Sequence, residues 1–281
     1  GSPLPQLDVP STSFVDLSSI VPGVTVAKNE GYKTIISIRG VGNETNQNAI
    51  AAPSVAYHMD GIFIASPFSL QTDFIDVQRI EVLRGPQGTL FGQNSTGGAI
   101  NVISNKPTAD ERFSKADITY GDYGMKQLRS SSNFPISDNV STKLSLSAMT
   151  REGFTENLAT GQDLDDAHNL SFRTDWMIDV NDTTSLRIFG QYSSVDRNGA
   201  AIRGIDDQSP GMRKLSQNTI SKQELTSSVF AMIFETDLGY ASLKILASSQ
   251  EDDISVTRDN DRHNFGDPVL SIPGLGAGAT Y

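Results

Sequence analysis

Strict alternation of apolar and polar side chains runs through the second half of this chain. From His168 to Val180, the residues Leu170, Phe172, Trp176, Ile178 and Val180 fall on one face of an extended strand. Asn169, Ser171, Arg173, Asp175 and Asp179 fall on the other. Thr142, Leu144, Leu146 and Ala148 alternate in the same way with Ser141, Lys143, Ser145 and Ser147. Ala241, Leu243, Ile245 and Ala247 alternate with Tyr240, Ser242, Lys244 and Ser248. The pattern predicts seven strands, near 112–120, 125–136, 139–152, 168–180, 183–195, 225–236 and 238–250. The sixth, through Val229–Phe234, is apolar on both faces, so alternation does not set its register.

The joins add independent information. Ser137-Asp138-Asn139, Asn181-Asp182 and Asp237 are short, whereas 153–167, 196–224 and 251–281 are long; the first join, Gly121–Gly124, is short again. Short and long therefore alternate nearly throughout, as in membrane barrels with short inner turns and long outer loops. A water-soluble β-sandwich is the competing reading, because alternation alone does not say whether the apolar face meets lipid or a protein core.

The first half has another texture. Residues 1–13 are Pro- and Ser-rich and read as an extended lead-in. Phe14–Val21 reads as a short amphipathic helix stopped by Pro22-Gly23. Short strands are expected at Val24–Val26, Thr34–Ile38, Val55–Met59 and Ile62–Ala65, with a tight turn at Asp60-Gly61. Polar loops lie at Val41–Ala52 and Ser66–Asp73. A strand at Arg79–Leu83 then enters a run holding Gly85, Gly88, Gly92, Gly97 and Gly98, with Leu90 and Phe91 between them, and Ala99–Ser104 forms the next strand. Five glycines this close supply turns and close backbone approaches that a Cβ would forbid. Neither the phosphate-loop spacing nor the dinucleotide fingerprint is present. The expected organisation is a lead-in (1–13), an α+β domain (14–108) and an antiparallel β region (109–281).

The stretch Arg79–Pro107, RIEVLRGPQGTLFGQNSTGGAINVISNKP, closely resembles the core of the plug domain of TonB-dependent outer-membrane receptors. Ser37-Ile38-Arg39-Gly40, Pro53-Ser54-Val55 with Tyr57–Gly61, and Asp16–Gly23 resemble further segments of that plug in the same order. The resemblance implies an α+β plug followed by antiparallel transmembrane β-strands, part of a barrel of about 22 strands. About 170 residues follow Asp110, too few for such a barrel, so a fragment is expected, with the segment that TonB contacts lying before Gly1. It implies a location in the bacterial outer membrane and import of a scarce nutrient such as a ferric siderophore, cobalamin or a carbohydrate. The implied partners are TonB, outer-membrane lipid and the small-molecule nutrient. A ligand-binding or signalling module without transport, and a soluble all-β enzyme or adhesin, are the alternatives. By the same resemblance Arg39 and Arg84 would reach glutamates of the barrel wall, as buried guanidiniums need carboxylates. Ligand contacts would come from Asn43, Glu44, Asn46, Gln47 and Asn48, with Phe68 and Gln71. The five glycines would serve as structural turns.

Composition narrows the chemistry. The formal net charge is −11, which argues against nucleic acid as a partner. There is no cysteine, hence neither a disulfide framework nor a thiolate metal site. His58, His168 and His263 are far apart and form no metal signature, and no nucleophile elbow occurs, so no catalytic residues, cofactor or metal are expected. Asp163, Asp165 and Asp166, then Asp252 with Asp253 and Asp259 with Asp261, read as solvated acidic loops without EF-hand spacing.

Overall fold

The computed structural model describes residues 14, 17–29, 33–42, 53–64, 66, 69–72, 74–92, 94–205, 207–259 and 262. The lead-in 1–13, the loop carrying Asn43, Glu44, Asn46, Gln47 and Asn48, Phe68, Asp261, His263 and the glycine-rich end lie outside these residues.

The first half builds two small sheets. A single helical turn, α1 (Leu17–Ile20), buries Leu17 and ends at Pro22-Gly23. It leads into an antiparallel sheet of β1 (Val24–Asn29), β2 (Lys33–Ile38) and β3 (Val41–Gly42). The second sheet has the order β5-β4-β7-β6, with β4 at Val55–Met59, β5 at Ile62–Phe63, β6 at Val77–Arg84 and β7 at Gly98–Ser104. β4 and β7 run parallel; the other two pairings are antiparallel. Asp60 and Gly61 both adopt positive φ, 53° and 86°, giving the two-residue hairpin turn that the sequence predicts. Between β6 and β7 the chain makes one helical turn, α2 (Gly88–Phe91).

Glycine is required most stringently where the second sheet meets the first. Gly98 has φ 143°, and a Cβ there would stand 2.3 Å from the Leu83 carbonyl oxygen and 2.9 Å from Ile38 Cδ1. A Cβ on Gly97 would press on Val41 at 3.0 Å. Gly88 has neither a positive φ nor a near neighbour, so nothing in the structure requires glycine at that position. The two sheets enclose one apolar core in which Phe14 meets Tyr57 and Phe74 edge-on, each at 4.5 Å between ring centroids.

The second half is one antiparallel sheet of seven strands in chain order: β8 (Phe113–Tyr120), β9 (Lys126–Ser137), β10 (Val140–Arg151), β13 (Ala167–Asn181), β14 (Thr184–Arg197), β16 (Lys222–Asp237) and β17 (Ser242–Thr257). Two corrections concern the last of them. Leu238–Ala241 is a four-residue turn, closed by Leu238 N–H donating to the Ala241 carbonyl and by Gly239 at φ 83°, so Tyr240 and Ala241 precede the strand. At the other end the strand runs on to Thr257, which places Asp252 and Asp253 in the sheet and not in a loop. The long joins also fold: β11 (Thr155–Asn157), β12 (Gln162–Leu164) and β15 (Lys214–Leu215) form a small sheet in which β11 and β15 are parallel. Irregular hydropathy hides these two- and three-residue strands from a pattern reading.

The decisive feature is which face of the large sheet is covered. On β13, Leu170, Phe172 and Trp176 are 45%, 41% and 40% exposed, while Ser171, Arg173 and Asp175 are 2%, 3% and 2% exposed. The apolar side looks out and the polar side is buried against the first half of the chain. A soluble sandwich would bury the opposite side, so that alternative falls. Strands β16 and β17 have 16 residues each, more than the roughly 9–11 that cross a bilayer. Their outward-facing apolar residues, Phe230, Met232, Leu243 and Ile245, gather toward the short turn, and Glu224, Glu251 and Asp253 occupy the far end.

Single-cysteine spin labels placed in the cysteine-free sequence at Phe172 and Ser171 should report this inversion in lipid. The label at 172 should collide freely with dissolved oxygen and the one at 171 should be shielded. Equal shielding at both positions would contradict an outward apolar face.

Candidate functional site at the plug and wall contact

Asp60 occupies the turn between β4 and β5, in a left-handed backbone conformation, and its side chain caps the end of the neighbouring strand β7 at Ser104. Its Oδ1 accepts from the Ser104 backbone N–H (3.0 Å) and from Arg187 Nη1 (3.3 Å). Its Oδ2 accepts from the Ser104 hydroxyl (2.8 Å) and from Arg173 Nη2 (2.7 Å). Both arginines also grip Asp175: Arg187 from Nε (2.9 Å) and Nη2 (2.6 Å), Arg173 from Nη2 (3.0 Å). The Arg173 guanidinium lies over the Phe189 ring at 3.9 Å, and its Nη1 donates to the Gln191 amide oxygen. Two cations and two anions, all buried, thus form a neutral set that joins the β4–β5 turn to strands β13 and β14.

Two further contacts seat the domain. Asp76 precedes β6 and receives Lys143 Nζ at 2.6 Å and Lys115 Nζ at 3.2 Å, with the Ser131 hydroxyl and the Asn105 amide completing its shell. Ser69, in a 3-10 turn at Ser69–Gln71, donates to Asp252 of β17 at 2.9 Å. Apolar packing continues across the same boundary, since Phe189 of β14 and Val229, Ala231 and Ile233 of β16 belong to the core cluster of the first half.

Burial alone would raise the Asp60 carboxyl, but Arg173 and Arg187, followed by the Ser104 hydrogen bonds, outweigh it and hold the group at about 2, below its ordinary 3.8. At Asp76 burial again opposes and Lys143 prevails, so that carboxyl too sits low. In the plug, burial pushes His58 down and Tyr57 well up.

The residues expected from sequence fall elsewhere. Arg39 is exposed at the β2–β3 turn, and Arg84 donates to the Pro22 carbonyl at 3.0 Å within the plug. Among the described residues neither pairs with a carboxylate. Gln71 closes the 3-10 turn beside the Ser69 contact. Asp163 is exposed, as expected, but Asp165 and Asp166 are not freely solvated: Asp165 accepts from the Thr155 hydroxyl and the Ala201 N–H, and Asp166 from the Asn198 N–H, tying the outer loops together. No group of His, Asp and Glu among the described residues could hold a metal ion. Sequence reasoning did not single out Asp60, Asp76, Arg173, Asp175 or Arg187. For Arg173 and Asp175 the signal was present, however, as charges on the face opposite Leu170, Phe172 and Trp176.

Residues 6–99 match the family model of the TonB-dependent receptor plug domain. Those residues therefore carry a TonB-dependent receptor plug domain, and seven antiparallel strands follow it. The chain is 33% identical over 165 residues to the pesticin receptors of Yersinia enterocolitica and Yersinia pestis, which is 57% of this chain and 23% of those proteins. The chain thus spans about a quarter of their length. Its fold matches the ferric yersiniabactin uptake receptor of Yersinia pestis with a TM-score of 0.76 at 21% identity, over 89% of this chain and 40% of that one. The ferripyoverdine receptor of Pseudomonas aeruginosa matches with a TM-score of 0.69 at 16% identity, over 91% and 34% respectively.

Replacing Asp60 by Ala leaves two buried guanidiniums facing one carboxylate and should cost about 3–5 kcal/mol of plug stability. Because the folded-state carboxyl is depressed, its contribution is complete above about pH 4 and is lost as the pH falls toward 2, worth about 2 kcal/mol. Denaturant midpoints of plug protection should show both effects, with the Asp60→Ala protein lacking this acid-dependent step. Unchanged midpoints would remove the network's role.

Proposed function

We propose that this chain is the closure and part of the wall of an energised outer-membrane importer. The plug blocks the pore at rest. TonB, the implied partner, draws on the segment ahead of the plug and disturbs its seat, and cargo then passes. The similarity to receptors named for ferric yersiniabactin and ferripyoverdine supports a ferric siderophore as that cargo. The outward loops with Asn43, Glu44, Asn46, Gln47, Asn48, Phe68 and Gln71 are proposed to meet it first. Arg39 and Arg84 are proposed to pair with glutamates of wall strands beyond these seven, which would add plug-to-wall ties to those made by Asp60 and Asp76.

The observation that carries the reading is the charge-neutral set at Asp60. It adds a few discrete ion pairs to the apolar packing between plug and wall, so part of the seat rests on contacts that can be separated one by one.

A short thiol crosslinker joining cysteines introduced at Ser69 and Asp252, whose side chains touch at 2.9 Å, should test the need for separation. Uptake of radiolabelled iron supplied as ferric yersiniabactin or ferripyoverdine should stop on crosslinking while surface binding persists, and cleaving the linker should restore it. Undiminished uptake through the crosslinked protein would overturn the reading.

A further inference from the structure

The cavity between the plug segment Phe74–Val77 and strands β8–β10 measures about 200 Å³. Arg129 of β9 and Ser147 of β10 line it and are direct cross-strand neighbours. Two of the arginine's donors, Nε and Nη2, are buried without a partner, and so is the Ser147 hydroxyl, on a residue 1% exposed. Nε and Nη2 form one edge of the guanidinium, the edge that takes both oxygens of a carboxylate or phosphate in parallel hydrogen bonds. Leaving charged donors buried and unmade is costly, so such a fork is a site awaiting an acceptor.

Its surroundings select the sign of the occupant. Lys115 lines the same cavity. Asp76 is also there, but Lys143, Lys115, Ser131 and Asn105 already occupy its oxygens. Asp117, the cross-strand neighbour of Arg129 on β8, lines the cavity too, but it is exposed and makes no ion pair with Arg129 among the described residues.

We propose that this cavity is an oxyanion site, with Arg129 supplying a two-pronged clamp and Ser147 a third donor. A phosphate or carboxylate seated there touches wall and plug together and strengthens the seat beside Asp76. The site does not depend on the proposed import function, because occupancy is a matter of equilibrium binding alone.

The receptor bearing this sequence, purified in detergent, should be titrated with inorganic phosphate, and separately with acetate, against chloride at constant ionic strength. Its thermal midpoint should rise saturably with one or both anions, and the response to each identifies whether a tetrahedral or a planar anion fits. Arg129→Lys keeps the charge but removes the fork, and should weaken binding at least tenfold without loss of the folded, heat-modifiable form. Ser147→Ala should weaken it by a smaller factor. Asp117→Asn should leave binding intact or tighten it. Absence of a saturable shift in the unaltered protein, or an equal shift in Arg129→Lys, would overturn the proposal. Loss of binding in Asp117→Asn would do so as well. Normal phosphate binding in a protein that imports nothing would refute the import function and leave the site standing.

Discussion

Two guanidiniums and two carboxylates, out of reach of water, decide where the plug rests. Any one of them alone in that position would be expelled by the cost of removing its hydration. Together they cancel, and each of the two guanidiniums bridges Asp60 of the plug to Asp175 of the wall. The wall strands are consistent with this arrangement. Their polar sides are unsuited to lipid, and they become tolerable because the plug supplies both acceptors and apolar cover. Phe189 is the clearest case, buried among plug residues on one side and beneath the Arg173 guanidinium on the other.

The inversion of the large sheet links sequence to location. In water, the row Leu170, Phe172 and Trp176 would turn inward. Here these residues face out, as the outer membrane demands, and Ser171, Arg173 and Asp175 take the interior. The same logic holds along β16, where Leu225, Val229, Ala231 and Ile233 are buried and Phe230 and Met232 are not. A strand apolar on both faces serves lipid on one side and plug on the other, which is why alternation located it without setting its register.

Much of the fold was legible in the sequence. Period-two runs located the seven wall strands, and the Asp60-Gly61 pair announced its hairpin. Strand ends were less legible, because Glu251–Asp253 reads as loop when only hydropathy is considered, yet a strand rising clear of the bilayer has no need of apolar residues. The plug's parallel pairing of β4 with β7 was invisible, since nothing local records which of two distant strands become neighbours. The contacts at Asp60 and Asp76 were hidden for the same reason. Their partners are 113 and 127 residues away for Asp60, and only the three-dimensional arrangement makes them adjacent.

The separation of the plug into two sheets has a mechanical consequence. In the first sheet, Val24 at the start of β1 lies opposite Ile38 at the end of β2. Tension entering at the chain's beginning and resisted beyond β2 would load that hairpin at one end, opening its hydrogen bonds one after another. In the second sheet, Val55 lies opposite Gly98, while the chain leaves β7 at Ser104. The same tension would there slide β4 along β7 and strain all the rungs at once. The two halves of the plug are therefore unequal under traction, the earlier one peeling readily and the later one resisting in shear.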